Sequence, residues 1–314
     1  MAIFRLGLVG AGRMGRTHMR AMAASDSVRI TAIAEPAAEA RQQLSTVALP
    51  VHAELDAMLG AGNIDGVLIA APTGLHRDLI GRVVASRLPI LCEKPGGARA
   101  VEAQEAADAA RGAGLPLQIA YWRRFVPALR QLRDRMASGD FGGIYFVTCY
   151  QWDEQAPPAA FRGHSGGIFV DMGVHEFDQL RWLTGQDITE LHAVAASVAL
   201  DPQVPGDAES AQVLCRLSGG STGLVSLGRR FPAGDVCWAQ VFGTLDAEEC
   251  RFLWPPDSEA AFLHALRLQA ESFARWVGGA EPEGAQAEDA VAALTAAQAA
   301  SRVLHSQPGD RHDG

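Results

Sequence analysis

GLVGAGRMGRTHMRAM, residues 7–22, decides the fold. A short apolar run enters three glycines spaced GxGxxG (Gly10, Gly12, Gly15), and a helix-like segment follows. This pattern predicts a strand, a tight turn and a helix that together cradle a dinucleotide. Gly10 permits the turn, Gly12 lets the backbone approach a pyrophosphate, and Gly15 lets helix pack closely on strand. The unpaired N–H groups of the first helical turn then face the phosphates. Twenty residues beyond Gly15, Glu35 ends the next apolar run, VRITAIAE (28–35). A carboxylate there accepts the ribose hydroxyls of an adenosine and repels a 2′-phosphate, and no Arg directly follows it. NAD is therefore expected over NADP, held by Gly10, Ala11, Gly12, Arg13, Met14, Gly15 and Glu35. Arg13 is also in reach of a phosphate, so the preference is not absolute.

Working outward, strand-like runs recur at 3–10, 28–35, 65–72, 89–95 and 115–122, with helix-like segments between them. Apolar strands each followed by a helix imply a parallel sheet covered on both faces. Near residue 123 the pattern changes. FVPALRQLRDRMASGD reads as a helix and GGIYFVTCYQW as a strand; a Pro-rich loop and a second helix follow. Then ITELHAVAASVAL, SAQVLCRLSGGSTGLVSLGRR and DVCWAQVFGTLDAEECRFLW have strand character, with GGS (219–221) as a hairpin tip. The expected class is α/β: a Rossmann domain over 1–122, then an α+β domain over 123–314 with a large, mostly antiparallel open sheet. Helices at about 258–277 and 286–305 close the chain, and the tail PGDRHDG is expected to be disordered.

The composition narrows the function classes. The 314 residues are 48% apolar with a formal charge of −9 and no basic run, which argues against a nucleic-acid partner. No apolar run approaches the roughly 20 residues of a membrane span. The N-terminal apolar stretch runs straight into the glycine loop and reads as a first strand rather than a leader. Five cysteines are scattered without CxxC spacing, as expected of free thiols in the cytoplasm. Trp152, Trp238 and Trp254 are expected in the core.

Two further stretches carry chemistry. In GGIFVDMGVHEFDQL (166–180), helical spacing sets Asp171, His175 and Asp178 on one stripe with Trp182, apart from Val170, Val174 and Phe177. Histidine suits a general base, since its ordinary pKa of about 6.5 lies near working pH. Asp171 lies one helical turn away; spacing leaves open whether it bonds His175 or faces a substrate with it. No further His/Cys cluster accompanies the motif, so no metal is expected. Asp178 reads as scaffolding, paired with an arginine such as Arg181 or Arg123. The second stretch, Cys92-Glu93-Lys94-Pro95, ends the strand-like run at 89–95, where doubly wound sheets bind ligands. Lysine is scarce in this Arg-rich chain. Lys94 reads either as a group pointing into the cleft or as a surface lysine paired with Glu93.

GxGxxG at the N-terminus, AAPTGLH (70–76), CEKP (92–95), RRFVP (123–127) and SGGIFVDMGVHEFDQLRWLTG together resemble the glucose-fructose oxidoreductase/inositol dehydrogenase (Gfo/Idh/MocA) family, the HEFDQLRWL part of the last stretch being most similar to inositol 2-dehydrogenases. The resemblance covers almost the whole chain. It implies Lys94, Asp171 and His175 as catalytic residues, and Ala71, Pro72, Thr73, His76 and Glu93 around the nicotinamide half of the cofactor. It also implies a cis Lys94–Pro95 bond, and dimers or tetramers formed through the second sheet. Oxidising a secondary alcohol moves a hydride to NAD⁺ and a proton to a base beside a group that stabilises the oxyanion. His175 is the expected base, Asp171 its orienter and a hydroxyl ligand, and Lys94 the electrostatic partner. Trp122 and Arg123, at the end of the strand-like run over 115–122, and His164 in the Pro-rich loop are expected substrate contacts; packing is the competing reading for Trp122. Trp152-Asp153 stands where many relatives carry an Arg-Asp or similar pair, which bears on substrate choice. The expected enzyme is an NAD-dependent dehydrogenase of a cyclic polyol or sugar, such as an inositol. The alternatives are an NAD-dependent glycosidase of the same family and a non-catalytic NAD(H)-sensing regulator.

Overall fold

Burial on both faces forces the first strands of the computed structural model to be almost wholly apolar. The structure describes residues 2–196, 204 and 207–306. The PGDRHDG tail and the last four residues of the ITELHAVAASVAL run lie outside them. Contacts divide the chain into two units, one of 1–126 with 262–291, the other of 127–261 with 292–314.

The first unit alternates β1 (Phe4–Val9), α1 (Arg13–Met22), β2 (Val28–Ala34), α2 (Ala38–Gln43), β3 (Val51–His52), α3 (Leu55–Gly60), β4 (Gly66–Ile69), α4 (His76–Ala85), β5 (Ile90–Cys92), α5 (Ala100–Ala113) and β6 (Leu117–Ile119). The strands from β1 to β6 pair in parallel in the order β6-β5-β4-β1-β2-β3. The order reverses at β1, so the crevice for a ligand opens at the carboxyl ends of β1 and β4. Leu6, Leu8, Val67, Leu68, Ile69, Ile90 and Leu91 are fully buried and form the centre of this sheet. Residues from near the end of the chain add an antiparallel edge strand, Ala285–Gln286, to β6.

The second unit holds α6 (Pro127–Ser138), β7 (Ile144–Trp152), α7 (Ala159–Arg162), α8 (Val174–Thr184), β8 (Ile188–Ala196), β9 (Ser210–Leu217), β10 (Thr222–Gly228), β11 (Val236–Gly243) and β12 (Ala247–Leu253). The sheet order is β12-β11-β7-β10-β9-β8. Every pair is antiparallel except β7 with β10, which is parallel. The β9–β10 hairpin turns at Gly219–Ser221, with Gly220 at φ +93°. One sheet face packs on α8: a Cβ at Gly223 would touch Leu180, and Gln179 donates to Cys149 Sγ at 3.4 Å. Strand alternation turns Phe146, Tyr150, Trp152, Trp238 and Phe242 to the opposite face. That corrects the expectation for Trp152, Trp238 and Trp254, which are only half-buried. Tyr150 and Trp238, directly opposed in the β7–β11 register, stack at 4.2 Å. The two C-terminal helices run over Ser258–Val277 and Ala287–Ser306.

Candidate active site

The glycine loop separates fold requirement from ligand requirement. Gly10 has φ +88°, and a Cβ there would lie 2.7 Å from the Ala70 carbonyl oxygen. A Cβ on Gly15 would lie 2.1 Å from the Gly10 carbonyl oxygen. Both glycines are dictated by backbone packing. A Cβ on Gly12 would meet nothing within 4 Å. Gly12 is also the N-cap of α1 and supplies no side-chain cap, so the helix presents uncapped N–H groups to an anion. Buried Glu35 accepts the Ala11 N–H at Oε2 (2.7 Å) and the Ala37 N–H at Oε1 (2.9 Å). The acid expected to hold the ribose thus also ties down the glycine turn, and each oxygen keeps a lone pair for a hydroxyl. Arg41 donates to the Glu35 and Pro36 carbonyls at 2.9 and 2.6 Å, so a guanidinium stands near this strand end although none follows Glu35 directly.

At the end of β5, Glu93 is not a surface partner of Lys94. It is buried, with Oε1 2.6 Å from Nε2 of His18, a fully buried residue of α1. Its other oxygen accepts the Lys94 backbone N–H at 3.2 Å. Burial pushes the Glu93 carboxyl up, but the His18 hydrogen bond and charge, with Lys94 and His76, outweigh it and hold the group below its usual range. Lys94 is the chain's sole lysine, and the Lys94–Pro95 bond is cis. Pro72 and Thr73 lead into a turn over Thr73–Leu75 ahead of α4. His76, buried at the start of α4, lies with Nε2 2.9 Å from the Ala71 carbonyl oxygen. Burial lowers its pKa more than that bond and the Glu93 charge raise it, which favours the neutral ring. Trp122 and Arg123 are buried in a short helical turn; Trp122 meets Phe262 edge-on at 4.8 Å, and the Arg123 guanidinium lies 5.8 Å from the Trp122 ring.

In the second unit, Gly166 and Gly167 (φ +84° and +82°) lead into a π-helical turn, Phe169–Gly173, that runs directly into α8. Asp171 lies in the π turn and His175 in the first turn of α8. The wider i→i+5 turn brings positions four apart closer to eclipsed than an α turn of 3.6 residues does. Val174 to Leu180 are all buried, so His175 and Asp178 of the polar stripe lie in an enclosed stretch of α8, while Asp171 and Trp182 at the ends of the stripe are half-buried. Asp171 Oδ2 accepts from Nη1 of Arg229 at 3.1 Å, and Arg229 is fully buried. Asp178 is buried too, while Arg181 bonds Asp187 at 2.7 and 3.1 Å. Trp182 packs under the Arg133 guanidinium at 5.1 Å. Burial, with the charges of Asp235 and Asp171, raises the Asp153 carboxyl against the opposing Gln151 bond and Arg229 charge. His164 is exposed. Among the described residues no group of three or more His, Cys, Asp or Glu is arranged to hold a metal. No described helix is long and apolar enough to cross a membrane.

Residues 4–121 match the family model described as "Oxidoreductase family, NAD-binding Rossmann fold", and residues 129–246 match the GFO/IDH/MocA C-terminal domain. Over 304 residues the chain is 53% identical to the rhizopine catabolism protein MocA of Rhizobium meliloti, covering 97% of this chain and 96% of that one. The chain belongs to the GFO/IDH/MocA family. It is also 29% identical to the inositol 2-dehydrogenase of Rhizobium meliloti strain 1021, over 96% of each chain. The crystal structure of a myo-inositol dehydrogenase from Corynebacterium glutamicum superposes with a TM-score of 0.88 at 25% identity, covering 96% of this chain and 97% of that one.

As a GFO/IDH/MocA oxidoreductase the protein is an NAD-dependent enzyme, and its own residues fit that cofactor. The open side of Gly12 and the uncapped start of α1 suit a pyrophosphate, and Glu35 suits a ribose. Sequence reasoning missed His18 and Arg229. A signal existed for His18, which shares the buried stripe of α1 with Gly15 and Met22. Arg229 sits beside Arg230 just beyond β10, and nothing in the pair distinguishes the buried member from the exposed one.

Proposed function

We propose that this oxidoreductase oxidises one secondary hydroxyl of a cyclic polyol, an inositol or a related compound. The observation that carries the reading is the pairing of Asp171 and His175 on successive turns of one buried segment, with Asp171 held by a buried arginine. The names of the relatives, for inositol and for rhizopine, supply the substrate class. NAD⁺ supplies the hydride acceptor. His175 takes the hydroxyl proton as general base. Asp171 accepts a hydrogen bond from the substrate and orients it or the imidazole. The Lys94 ammonium stabilises negative charge developing on the oxygen. Residues 1–122 serve the cofactor, and 123–314 serve the substrate and assembly. Arg123 and His164 are proposed to reach the substrate, with Trp122 as a wall.

We further propose a cytoplasmic homodimer or homotetramer. The half-buried sheet face bearing Phe146, Tyr150, Trp238 and Phe242 supports it, because aromatic surface of this kind favours burial against a second copy. The function is tested with myo-inositol, scyllo-inositol and rhizopine as substrates for NAD⁺ and NADP⁺ in parallel. NADH should accumulate on at least one of them. Lys94→Ala and His175→Ala should bind NADH yet lose at least about 10²-fold in turnover. Tight NADH binding with no turnover on any polyol would overturn the reading in favour of a sensor.

A further inference from the structure

Four side chains of the second unit form a chain of alternating charge: Asp171, Arg229, Asp207 and Arg162. Arg229 Nη1 donates to Asp171 Oδ2 at 3.1 Å, and its Nη2 donates to Asp207 Oδ1 at 3.3 Å. The Arg229 Nε also lies 3.3 Å from Asp207 Oδ2. Arg162 Nη1 donates to the same Asp207 oxygen at 3.2 Å, and its Nε donates to the Pro157 carbonyl at 2.9 Å. Arg229 has no exposed surface, and Asp207 and Arg162 are each 6% exposed. The Arg229 backbone N–H is tied to the Glu209 carbonyl at 2.8 Å, so both ends of the residue are fixed.

A guanidinium keeps its charge when buried, and removing it from water is costly. Replacing an entire buried ion-paired set by well-packed apolar side chains is often neutral or stabilising, although removing one member alone strands its partners, so stability alone gives no reason for building this set here. The chain of ion pairs instead has a direction. It starts in the Pro-rich segment, runs through three buried groups and ends on the carboxylate assigned to the substrate.

We propose that Arg229 is a positioning residue that fixes the Asp171 carboxylate in its working orientation, with Asp207 and Arg162 fixing Arg229 in turn. This rests on the reading of Asp171 as a residue that touches substrate. Arg229 acts only through Asp171. Its contribution is preorganisation: a reacting-site group displaced by about 1 Å costs about 10²-fold in rate.

The test uses the full-length protein, NAD⁺, and whichever of myo-inositol, scyllo-inositol and rhizopine the unsubstituted protein oxidises fastest, also prepared with deuterium at the oxidised carbon. Arg229→Gln should lower kcat about 10²-fold with NADH affinity unchanged, and the primary isotope effect should rise because the chemical step becomes slower. Arg229→Lys, which keeps the charge but not the fork, should recover about tenfold of that loss. A merely structural role would reduce the active fraction and leave the isotope effect where it was. Asp207→Asn, which keeps Arg229 and Asp171, should lower kcat about tenfold and decides the matter if Arg229→Gln does not fold. Unchanged kcat in either folded variant overturns the proposal, as does a loss shared equally by NADH binding and by the lysine variant. An unsubstituted protein inactive on all three polyols refutes the parent reading, and the positioning role falls with it.

Discussion

The contrast between Gly12 and Gly15 yields a paired prediction. Both glycines belong to the same loop, yet an added methyl group meets different surroundings. At Gly15 it would lie 2.1 Å from the Gly10 carbonyl oxygen, and backbone cannot yield as a side-chain tip does. Gly15→Ala should therefore cost about 1–3 kcal/mol, at the upper end because the obstacle is main chain. For a unit of this size that corresponds to roughly 2–4 °C in Tm per kcal/mol. At Gly12 the methyl group meets nothing within 4 Å, and the backbone already has φ −66°. Gly12→Ala should lose less than about 1 kcal/mol, the cost of a poorer N-cap. Its methyl group occupies the space a pyrophosphate must approach, so NADH affinity should fall at least about tenfold, or about 1.4 kcal/mol. Thermal unfolding without nucleotide and fluorescence titration with NADH separate the two effects. The reasoning fails if Gly12→Ala binds NADH as tightly as the unsubstituted protein, or if it unfolds as early as Gly15→Ala.

Two other outcomes follow from buried charge. His18→Leu strands the Glu93 carboxylate without its imidazole, and thermal or urea unfolding should show a loss of about 3 kcal/mol or more; an unchanged midpoint would mean that the 2.6 Å contact carries no stability. Asp153 has a folded-state pKa above its ordinary value. Its proton is therefore retained longer in the folded chain than in the unfolded one, so its contribution is intact below the unfolded value of about 3.9 and is lost as pH rises through the folded value. Asp153→Asn should raise Tm at neutral pH more than in acid; an equal shift at both pH values contradicts the assignment.

Much of this was legible because the fold repeats its instructions. The strands of the first sheet read as continuous apolar runs since they are buried on both faces, and the glycine loop with Glu35 names its ligand through spacing. What stayed hidden depends on distant partners. Strand β3 is two residues long and carries no period. The edge strand Ala285–Gln286 reaches β6 across more than 160 residues of sequence, and the parallel pairing of β7 with β10 is likewise set by tertiary packing. The same holds at the site. Asp171 and His175 announce themselves by mutual spacing, whereas Arg229 lies 58 positions from Asp171 and His18 lies 75 from Glu93. A residue whose function is conferred by one remote contact leaves no local pattern. Trp152, Trp238 and Trp254 show the converse: residue type suggested a core, but strand alternation sends Trp152 and Trp238 to the less covered face.

The most direct test of the central claim is to follow the hydrogen. The polyol that turns over, deuterated at its reacting carbon, is incubated with the protein and NAD⁺, and the nicotinamide ring is examined by mass spectrometry. Hydride transfer catalysed through His175, Asp171 and Lys94 predicts accumulating reduced cofactor with deuterium on the ring, and none from His175→Ala. Turnover with the cofactor returned to its oxidised form, or reduced cofactor without deuterium, would contradict the account.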